Sequence, residues 1–180
     1  MTLSKLSEHI SQFGSGEKSL PPVEQWNPPY CGEIDLVIKA NGTWLYNGSE
    51  IKRSRLIKLF ASVLKREDDN YYLVTPVEKV KIVVEDAPFL LTHWQWLNAD
   101  KPLMQVSTNI GDTFELNSQH PMSLGVDGQL YVLVRRNLLA RVHRNVFYQW
   151  VNIANEVQHD DVSDLVLHSA GQEFILGRVE

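Results

Sequence analysis

Two stretches of this sequence, 86 residues apart, carry the same features in the same order. A shift of that length places Asn41-Gly42 on Asp127-Gly128, and both pairs are typical of hairpin turns. A further offset of six residues places Leu73-Val74 on Leu165-Val166. The shared order is turn, strand, basic helix, strand, strand. It predicts a module that occurs twice in one chain.

The first half predicts four strands and one helix. Leu56, Phe60 and Leu64 lie on one face of a helix, with apolar residues at the spacings i, i+3, i+4 and i+7. The predicted strands are Ile34 to Ile38, Trp44 to Tyr46, Tyr71 to Thr75 and Val80 to Val84. The segment Glu85-Asp86-Ala87-Pro88 predicts a domain boundary.

The second half predicts many short strands followed by one helix. Apolar residues at helical spacing run from Leu139 to Ala154. The clearest strands are Phe89 to Trp96, Leu103 to Thr108, Thr113 to Leu116, Leu130 to Val134, Leu165 to Leu167 and Phe174 to Leu176.

These elements predict an α+β protein built from two small related domains. The expected ranges are an N-terminal helical arm and linker at 1–20, an α+β domain at 21–87 and a β-rich domain at 88–180. The arm is amphipathic, with Leu3, Leu6, Ile10 and Phe13 at helical spacing. The C-terminal domain is expected to be a mostly antiparallel sheet or barrel capped by a helix.

Composition narrows the function classes. The chain of 180 residues has a formal net charge of −5, which disfavours a nucleic-acid polymer as partner. It holds no apolar run of about 20 residues and no export signal, so we expect a cytoplasmic protein without membrane association. Cys31 is the single cysteine, which excludes an intramolecular disulfide, and we expect it to be a buried thiol.

Basic residues cluster near the start of each predicted helix. Residues 52–66 hold six Lys and Arg and no acid, and no acid lies between Asp127 and Glu156. Helix N-termini attract anions, and Arg binds phosphate or carboxylate with two hydrogen bonds. The pattern therefore indicates an anion site. The alternative is that each Arg forms a salt bridge to Glu78, Glu85, Asp86 or Asp112.

Aromatic and acidic residues give further candidates. Trp94 and Tyr131 could stack on a base beside the Arg cluster, although core packing is the commoner role of such residues. Glu85, Asp86 and His120 could serve an enzyme on a phosphorylated substrate. The histidines lack metal-ligand spacing, and neither a nucleophile motif nor a dinucleotide fingerprint occurs, so we expect no metal and no cofactor.

The chain resembles a bacterial family of proteins known only as a domain of unknown function. The resemblance runs over nearly the whole chain after residue 20. It lies in the segments Trp26 to Leu36, Gly42 to Arg53, Leu73 to Lys79, Val84 to Phe89, His120-Pro121, Tyr131 to Arg135 and Arg144 to Tyr148. It implies a duplicated core, a C-terminal half superficially like a pleckstrin-homology fold, a nucleotide-like ligand between the halves and a role in signalling. It implies no catalytic residue.

The leading expectation is a non-enzymatic regulatory protein that binds a small anionic, nucleotide-like ligand between its two domains. The alternatives are a protein-interaction adaptor and an enzyme on a phosphorylated substrate. The candidate ligand-binding residues are Arg53, Arg55, Lys79, Glu85, Asp86, Trp94, Asp112, His120, Tyr131, Arg135 and Arg141.

Overall fold

A computed structural model describes residues 3–13, 20–98, 100, 102–159 and 162–179. The chain forms two compact units, Met1–Asp86 and Ala87–Glu180. The division falls inside the segment Glu85 to Pro88, where the sequence predicts a boundary. About half of the described residues lie in strands and a smaller share in three α-helices, so the α+β class is confirmed.

The described residues of the N-terminal unit form two α-helices and six strands. Its helices are α1 (Leu3–Phe13) and α2 (Ser54–Ser62), with a short 3₁₀ helix at Val23–Gln25. Its strands are β1 (Tyr30–Ile38), β2 (Trp44–Tyr46), β3 (Ser49–Glu50), β4 (Leu64–Glu67), β5 (Asn70–Val74) and β6 (Lys79–Val84).

The six strands form one sheet in the order β3-β2-β1-β6-β5-β4. Two antiparallel three-stranded meanders meet at the parallel pair β1 and β6. Leu36, Ile38 and Trp44 are buried on this sheet, and Phe60 and Ala61 are buried on α2. Both the sheet and α2 therefore contribute apolar residues to the buried part of this unit.

Helix α1 lies in the segment where the sequence predicts an amphipathic arm. Leu6 and Ile10 are buried, and α1 contacts α2. The linker expected at residues 14–19 lies outside the described residues. Within the described part of the chain, no helix is long and apolar enough to cross a membrane.

The C-terminal unit has nine strands and one helix, α3 (Arg144–Ile153), among its described residues. The strands of its first sheet are β7 (Phe89–Asn98), β8 (Leu103–Thr108), β9 (Thr113–Glu115), β10 (Met122–Leu124), β11 (Leu130–Arg135) and β12 (Leu138–Val142). Those of its second sheet are β13 (Asn155–His159), β14 (Val162–Ser169) and β15 (Gln172–Val179).

The two sheets of the C-terminal unit differ in size. Six strands pair in the order β10-β11-β12-β7-β8-β9, with β12 and β7 parallel. The other three form the antiparallel sheet β13-β14-β15. Helix α3 contacts both β7 and β14.

The offset of 86 residues found in the sequence is confirmed by the hairpins β1–β2 and β10–β11. Leu36 pairs with Tyr46 in the first hairpin, and Met122 pairs with Val132 in the second. Each turn has the same three hydrogen bonds at the same offset, including one from a backbone N–H to the side chain of Asn41 or Asp127. The element order β-β-β-α-β-β-β then repeats from β1 to β6 and from β10 to β15. The duplication is therefore present in the fold.

The second helix begins later than the sequence predicted. Residues Leu138–Val142 form β12, in which Leu138, Ala140 and Val142 alternate with less buried residues. Helix α3 starts at Arg144 and buries Val146 and Trp150. Over a segment this short, apolar residues spaced as in a strand can also be spaced as on one face of a helix. The helical pattern therefore fitted residues that form a strand.

Candidate functional site

A pocket of about 900 Å³ opens beside the start of α2 in the N-terminal unit. Its walls come from α1, from the β2–β3 hairpin and from the segment that leads into α2. The lining residues are Leu3, Ser4, Ser7, Ser11, Tyr46, Ser49, Glu50, Ile51, Lys52, Arg53, Arg55, Leu56 and Leu59. Its volume lies in the range of small-molecule sites, which is about 300–1,000 Å³.

The local sequence explains why these residues meet. Asn47 and Gly48 turn the chain with positive φ angles, which directs β3 back along β2. Ile51 is buried and its N–H donates to the carbonyl of Trp44, which anchors the segment before the helix. Arg53 then caps α2 with an extended backbone and no side-chain hydrogen bond. The basic residues are consequently held at the helix start while their side chains stay exposed.

The electrostatic character of this pocket is cationic. Lys52, Arg53 and Arg55 are exposed, and no ion pair among the described residues involves them. The first turn of α2 contains no acidic residue, and Glu50 is the single acid among the lining residues. The helix dipole and the N–H groups of that turn add to the positive potential.

Polar and aromatic groups complete the wall. Ser7 and Ser11 donate their hydroxyl protons to the carbonyls of Ser4 and Ser7 within α1. Their oxygens retain acceptor capacity. Tyr46 adds a half-buried ring. Serine hydroxyls, cations and one aromatic ring are the groups that a phosphorylated, nucleoside-like molecule requires.

Of the predicted site residues, Arg53 and Arg55 lie together in this pocket, whereas Lys79 does not line it. The Lys79 ammonium lies 2.8 Å from Glu67 Oε2 and 4.9 Å from the centre of the Tyr72 ring. Hydrogen bonding from Lys79 lowers the pKa of the Glu67 carboxyl. Lys79 thus pairs with Glu67, an acid that the sequence did not indicate as a partner.

The acidic pair at the end of the N-terminal unit is also engaged locally. Glu85 forms an ion pair with Lys39 and accepts a hydrogen bond of 3.0 Å from the N–H of Ala40. The Lys39 hydrogen bond, followed by that of Ala40, lowers the pKa of Glu85. Asp86 is half-buried, and its charge contributes to a raised pKa of Tyr71 that burial mainly causes. Glu85 thus binds its own unit through Lys39 and Ala40.

In the C-terminal unit, Arg135 and Asp112 bind each other. Their side chains form an ion pair, and the Arg135 guanidinium lies 4.7 Å from the centre of the Phe89 ring. Asp112 also accepts a hydrogen bond from Thr108 Oγ1 at 3.5 Å. The sequence left this pairing open as the alternative to ligand binding.

The remaining predicted residues of this unit are spread over one sheet and one loop. His120 Nδ1 lies 2.8 Å from the carbonyl oxygen of Leu133, and its ring stacks on Phe114 at 4.2 Å. The Trp94 indole donates to Gln149 Oε1 over 2.7 Å. Tyr131 and Arg141 are half-buried cross-strand neighbours of β11 and β12. Arg141 thus belongs to a strand, not to the start of a helix as the sequence predicted.

Two further observations concern metal and redox chemistry. The described residues hold no group of three or more His, Cys, Asp or Glu side chains that could bind a metal ion. Cys31 is exposed, so the expectation of a buried thiol is wrong. Its position at the start of β1, beyond the buried part of that strand, explains the difference.

Sequence reasoning missed Tyr46 and the serines of α1 as pocket residues. The serines Ser4, Ser7 and Ser11 recur at intervals of three and four, which places them on one helix face. That spacing was a usable signal. The contact of α1 with α2 depends on tertiary packing, which no local pattern reveals.

Comparison with known proteins gives a consistent result. Residues 21–87 match the model described as the N-terminal domain of the domain of unknown function DUF1285, and residues 88–176 match its C-terminal domain. A search of curated proteins found no match.

Two solved structures are similar to this chain. A DUF1285 family protein from Silicibacter pomeroyi DSS-3 is 34% identical with a TM-score of 0.83, over 99% of this chain and 96% of that one. A DUF1285 family protein from Shewanella baltica OS155 is 36% identical with a TM-score of 0.56, over 68% of this chain and 94% of that one. With both domain models and these structures in agreement, the chain belongs to the DUF1285 family.

Proposed function

We propose that this protein is a non-enzymatic regulatory protein that binds a small anionic ligand in the pocket of its N-terminal unit. The observation that carries the proposal is the set of three cations, Lys52, Arg53 and Arg55, gathered at the start of α2 without an acidic partner among the described residues. Like charges held together cost stability, and a phosphate or carboxylate removes that cost while gaining bidentate hydrogen bonds.

The ligand class that fits the pocket is a nucleotide or a similar phosphorylated molecule. Arg53 and Arg55 would bind the phosphate together with N–H groups of the first helical turn. Tyr46 would stack on the base, and the α1 serines would bind sugar hydroxyls. The bound ligand would then contact both α1 and α2, so that ligand binding would change the position of α1. That coupling is the signalling function we propose.

The site proposed here uses residues of one unit. The expectation of a ligand between the two domains, with Trp94, Tyr131, Arg135 and Arg141 as contributors, stays a prediction. We further propose that the C-terminal unit is a variant of the pleckstrin-homology fold. The packing of α3 against strands of both sheets supports that assignment.

The test is thermal unfolding of the full chain at fixed ionic strength with AMP, ATP, cyclic dinucleotides and inorganic pyrophosphate as probes. A ligand at 100 times its dissociation constant adds about 2.7 kcal/mol, which corresponds to a rise of about 5–11 °C for this size. Arg55→Ala should reduce the affinity for the stabilising compound by about 1.5–3 kcal/mol, as for a charged hydrogen bond.

Lys58→Ala is the matched control, because Lys58 is an exposed cation on the same helix that does not line the pocket. It should bind the ligand as the unchanged protein does. Equal losses of affinity in both variants would show that the effect is non-specific charge attraction. If none of the compounds raised the melting temperature, a nucleotide ligand would lose its support.

A further inference from the structure

The C-terminal unit lacks a strand ladder that its N-terminal counterpart has. In the duplicated order, β10 and β15 correspond to β1 and β6, and β1 and β6 are hydrogen bonded as parallel neighbours. Strands β10 and β15 lie near each other, but each is the last strand of a separate sheet. A groove of about 760 Å³ lies at these two edges.

Strand β10 directs backbone groups away from its partner β11, toward the open edge. The Gly125 N–H donates to the carbonyl of Gln129, and the Leu133 N–H donates to the carbonyl of Pro121. These two bonds show which residue pairs of β10 and β11 are hydrogen bonded and which are not. Met122 and Leu124 fall at its non-hydrogen-bonded positions, so their N–H and C=O groups point away from β11. Both residues line the groove. A polypeptide in extended conformation is the partner that matches such a row of donors and acceptors.

Apolar side chains accompany the open edge. Leu124 and Ile175 line the groove and are each 50% exposed. Ile38, the counterpart of Leu124 in β1, is fully buried at 0% exposure. The C-terminal unit therefore exposes an apolar position that the same hairpin covers in the N-terminal unit.

The floor of the groove holds a buried carboxylate. Asp164, on the central strand β14, is 9% exposed. Its Oδ1 accepts no hydrogen bond within the described part of the chain, and the Arg178 Nε lies 3.8 Å away on a side chain that is 76% exposed. Glu173 is the second acid of the lining, against the single cation Arg178. Since the ion pair with Arg178 is long and its cation is exposed, this buried carboxylate favours a closer cationic donor from a partner.

We propose that this groove binds an extended segment of a partner protein that pairs with the edge of β10 and places a Lys or Arg on Asp164. Main-chain hydrogen bonds to Met122 and Leu124 provide the affinity, and Asp164 selects the basic side chain. The site lies in the C-terminal unit and is independent of the anion pocket proposed above.

The experiment begins with a phage-displayed library of random nonapeptides selected on the full chain. Enriched peptides should share a Lys or Arg at one position. Their affinity should fall about ten- to hundredfold in Asp164→Asn, as for a charged hydrogen bond. It should rise in Arg178→Gln, because that change removes the competing cation, and a merely structural role of Asp164 predicts no such gain.

Location and pairing are tested separately. Leu124→Arg should abolish binding, whereas Val126→Arg, at an exposed position of the same hairpin outside the groove lining, should not. N-methylation of the peptide at alternate residues should abolish binding, and methylation of the intervening residues should be tolerated, because only every second N–H faces β10.

The proposal is overturned if no peptide is enriched, if enriched peptides bind Asp164→Asn or Leu124→Arg as well as the unchanged chain, or if N-methylation has no alternating effect. Concentration-dependent dimerisation that Leu124→Arg removes would instead assign the groove to a second copy of this chain, and would also overturn it.

Discussion

Glu67 lies between two lysines, and its ionisation links the stability of the N-terminal unit to pH. Lys79 and Lys65 approach its two carboxylate oxygens at 2.8 and 3.4 Å. The Lys79 hydrogen bond is the main cause of a pKa below the ordinary 4.5. A carboxyl whose folded pKa is lowered adds stability above its unfolded pKa and loses it as the pH falls through the folded pKa.

We therefore expect the stability difference between the unchanged chain and Glu67→Gln to be largest at neutral pH and to shrink below about pH 4.5. Urea midpoints measured from pH 7 to pH 3 give this difference directly. A difference that stays constant over that range would show that the charge of Glu67 is not what stabilises the unit.

The two hairpin glycines at Gly42 and Gly128 have φ angles of +85° and +75°. Gly128→Ala should destabilise the C-terminal unit by about 1–2 kcal/mol, because a side chain disfavours the left-handed region. No atom lies within 4 Å of the Cβ that the substitution adds, so backbone strain is the single expected cause.

Gly177→Ala is the control for that change. Its Cβ also meets nothing within 4 Å, and its φ lies outside the left-handed region. Melting temperatures should place it at or above the unchanged chain. A loss as large as that of Gly128→Ala would assign the effect to side-chain bulk.

For single residues, the sequence predicted some local conformations and contacts but not others. The turns at Asn41-Gly42 and Asp127-Gly128 were predictable because the φ angle that a glycine permits is a local property. For Arg135 the sequence named Asp112 among four possible partners and could not choose between them, because Asp112 reaches Arg135 through the pairing of β7 with both β8 and β12. Whether a charge binds its own fold or a ligand is decided by such distant neighbours.

Among the elements, α2 has an unusual beginning. Its N-cap is Arg53, a residue without the short acceptor side chain that helices prefer at this position. The corresponding residue of α3, His143, does accept a hydrogen bond from the Asn145 N–H at 3.2 Å. The poor cap of α2 is the position that our proposal assigns to anion binding.

Arg53→Ser should raise the stability of the N-terminal unit by about 0.5–2 kcal/mol, since it adds a capping acceptor. The same change should weaken the anionic ligand found in the thermal panel. Urea unfolding and calorimetric titration measure the two effects. A variant that loses stability would indicate that Arg53 has a structural role and would remove the reason to assign it to a ligand.

Element prediction succeeded where one periodicity was sustained. The β1–β2 hairpin and the beginning of helix α2 were recovered because their apolar spacing and turn residues agree. The helix ends at Ser62, however, and Leu64, which the sequence placed on its apolar face, lies in strand β4. Strand β12 was taken for helix because Leu139 and Val142 also fit a helical face. Only the ladders to β11 and β7 settle that choice, and such pairing is a long-range property.

In the whole molecule, each unit has its own buried residues, such as Trp44 in the N-terminal unit and Trp150 in the C-terminal unit. The first unit contains one sheet and the second contains two. We expect a fragment of residues 87–180 to fold alone with a cooperative thermal transition, because a domain of about 90 residues can form a sufficient core. Circular dichroism and amide-proton dispersion would show this. A fragment without dispersed amide signals would show that its core depends on residues 1–86.

The offset of 86 residues has a consequence for how this family is divided. The repeat that matches β1 begins near β10, whereas the boundary between domains falls at residue 87. Strands β7 to β9 therefore lie between the two copies and have no counterpart in the first one. Of these three, β7 pairs with β12, whose counterpart β3 ends its sheet. The ancestral unit and the folding unit do not coincide, and relatives should be aligned copy by copy from β10 onward.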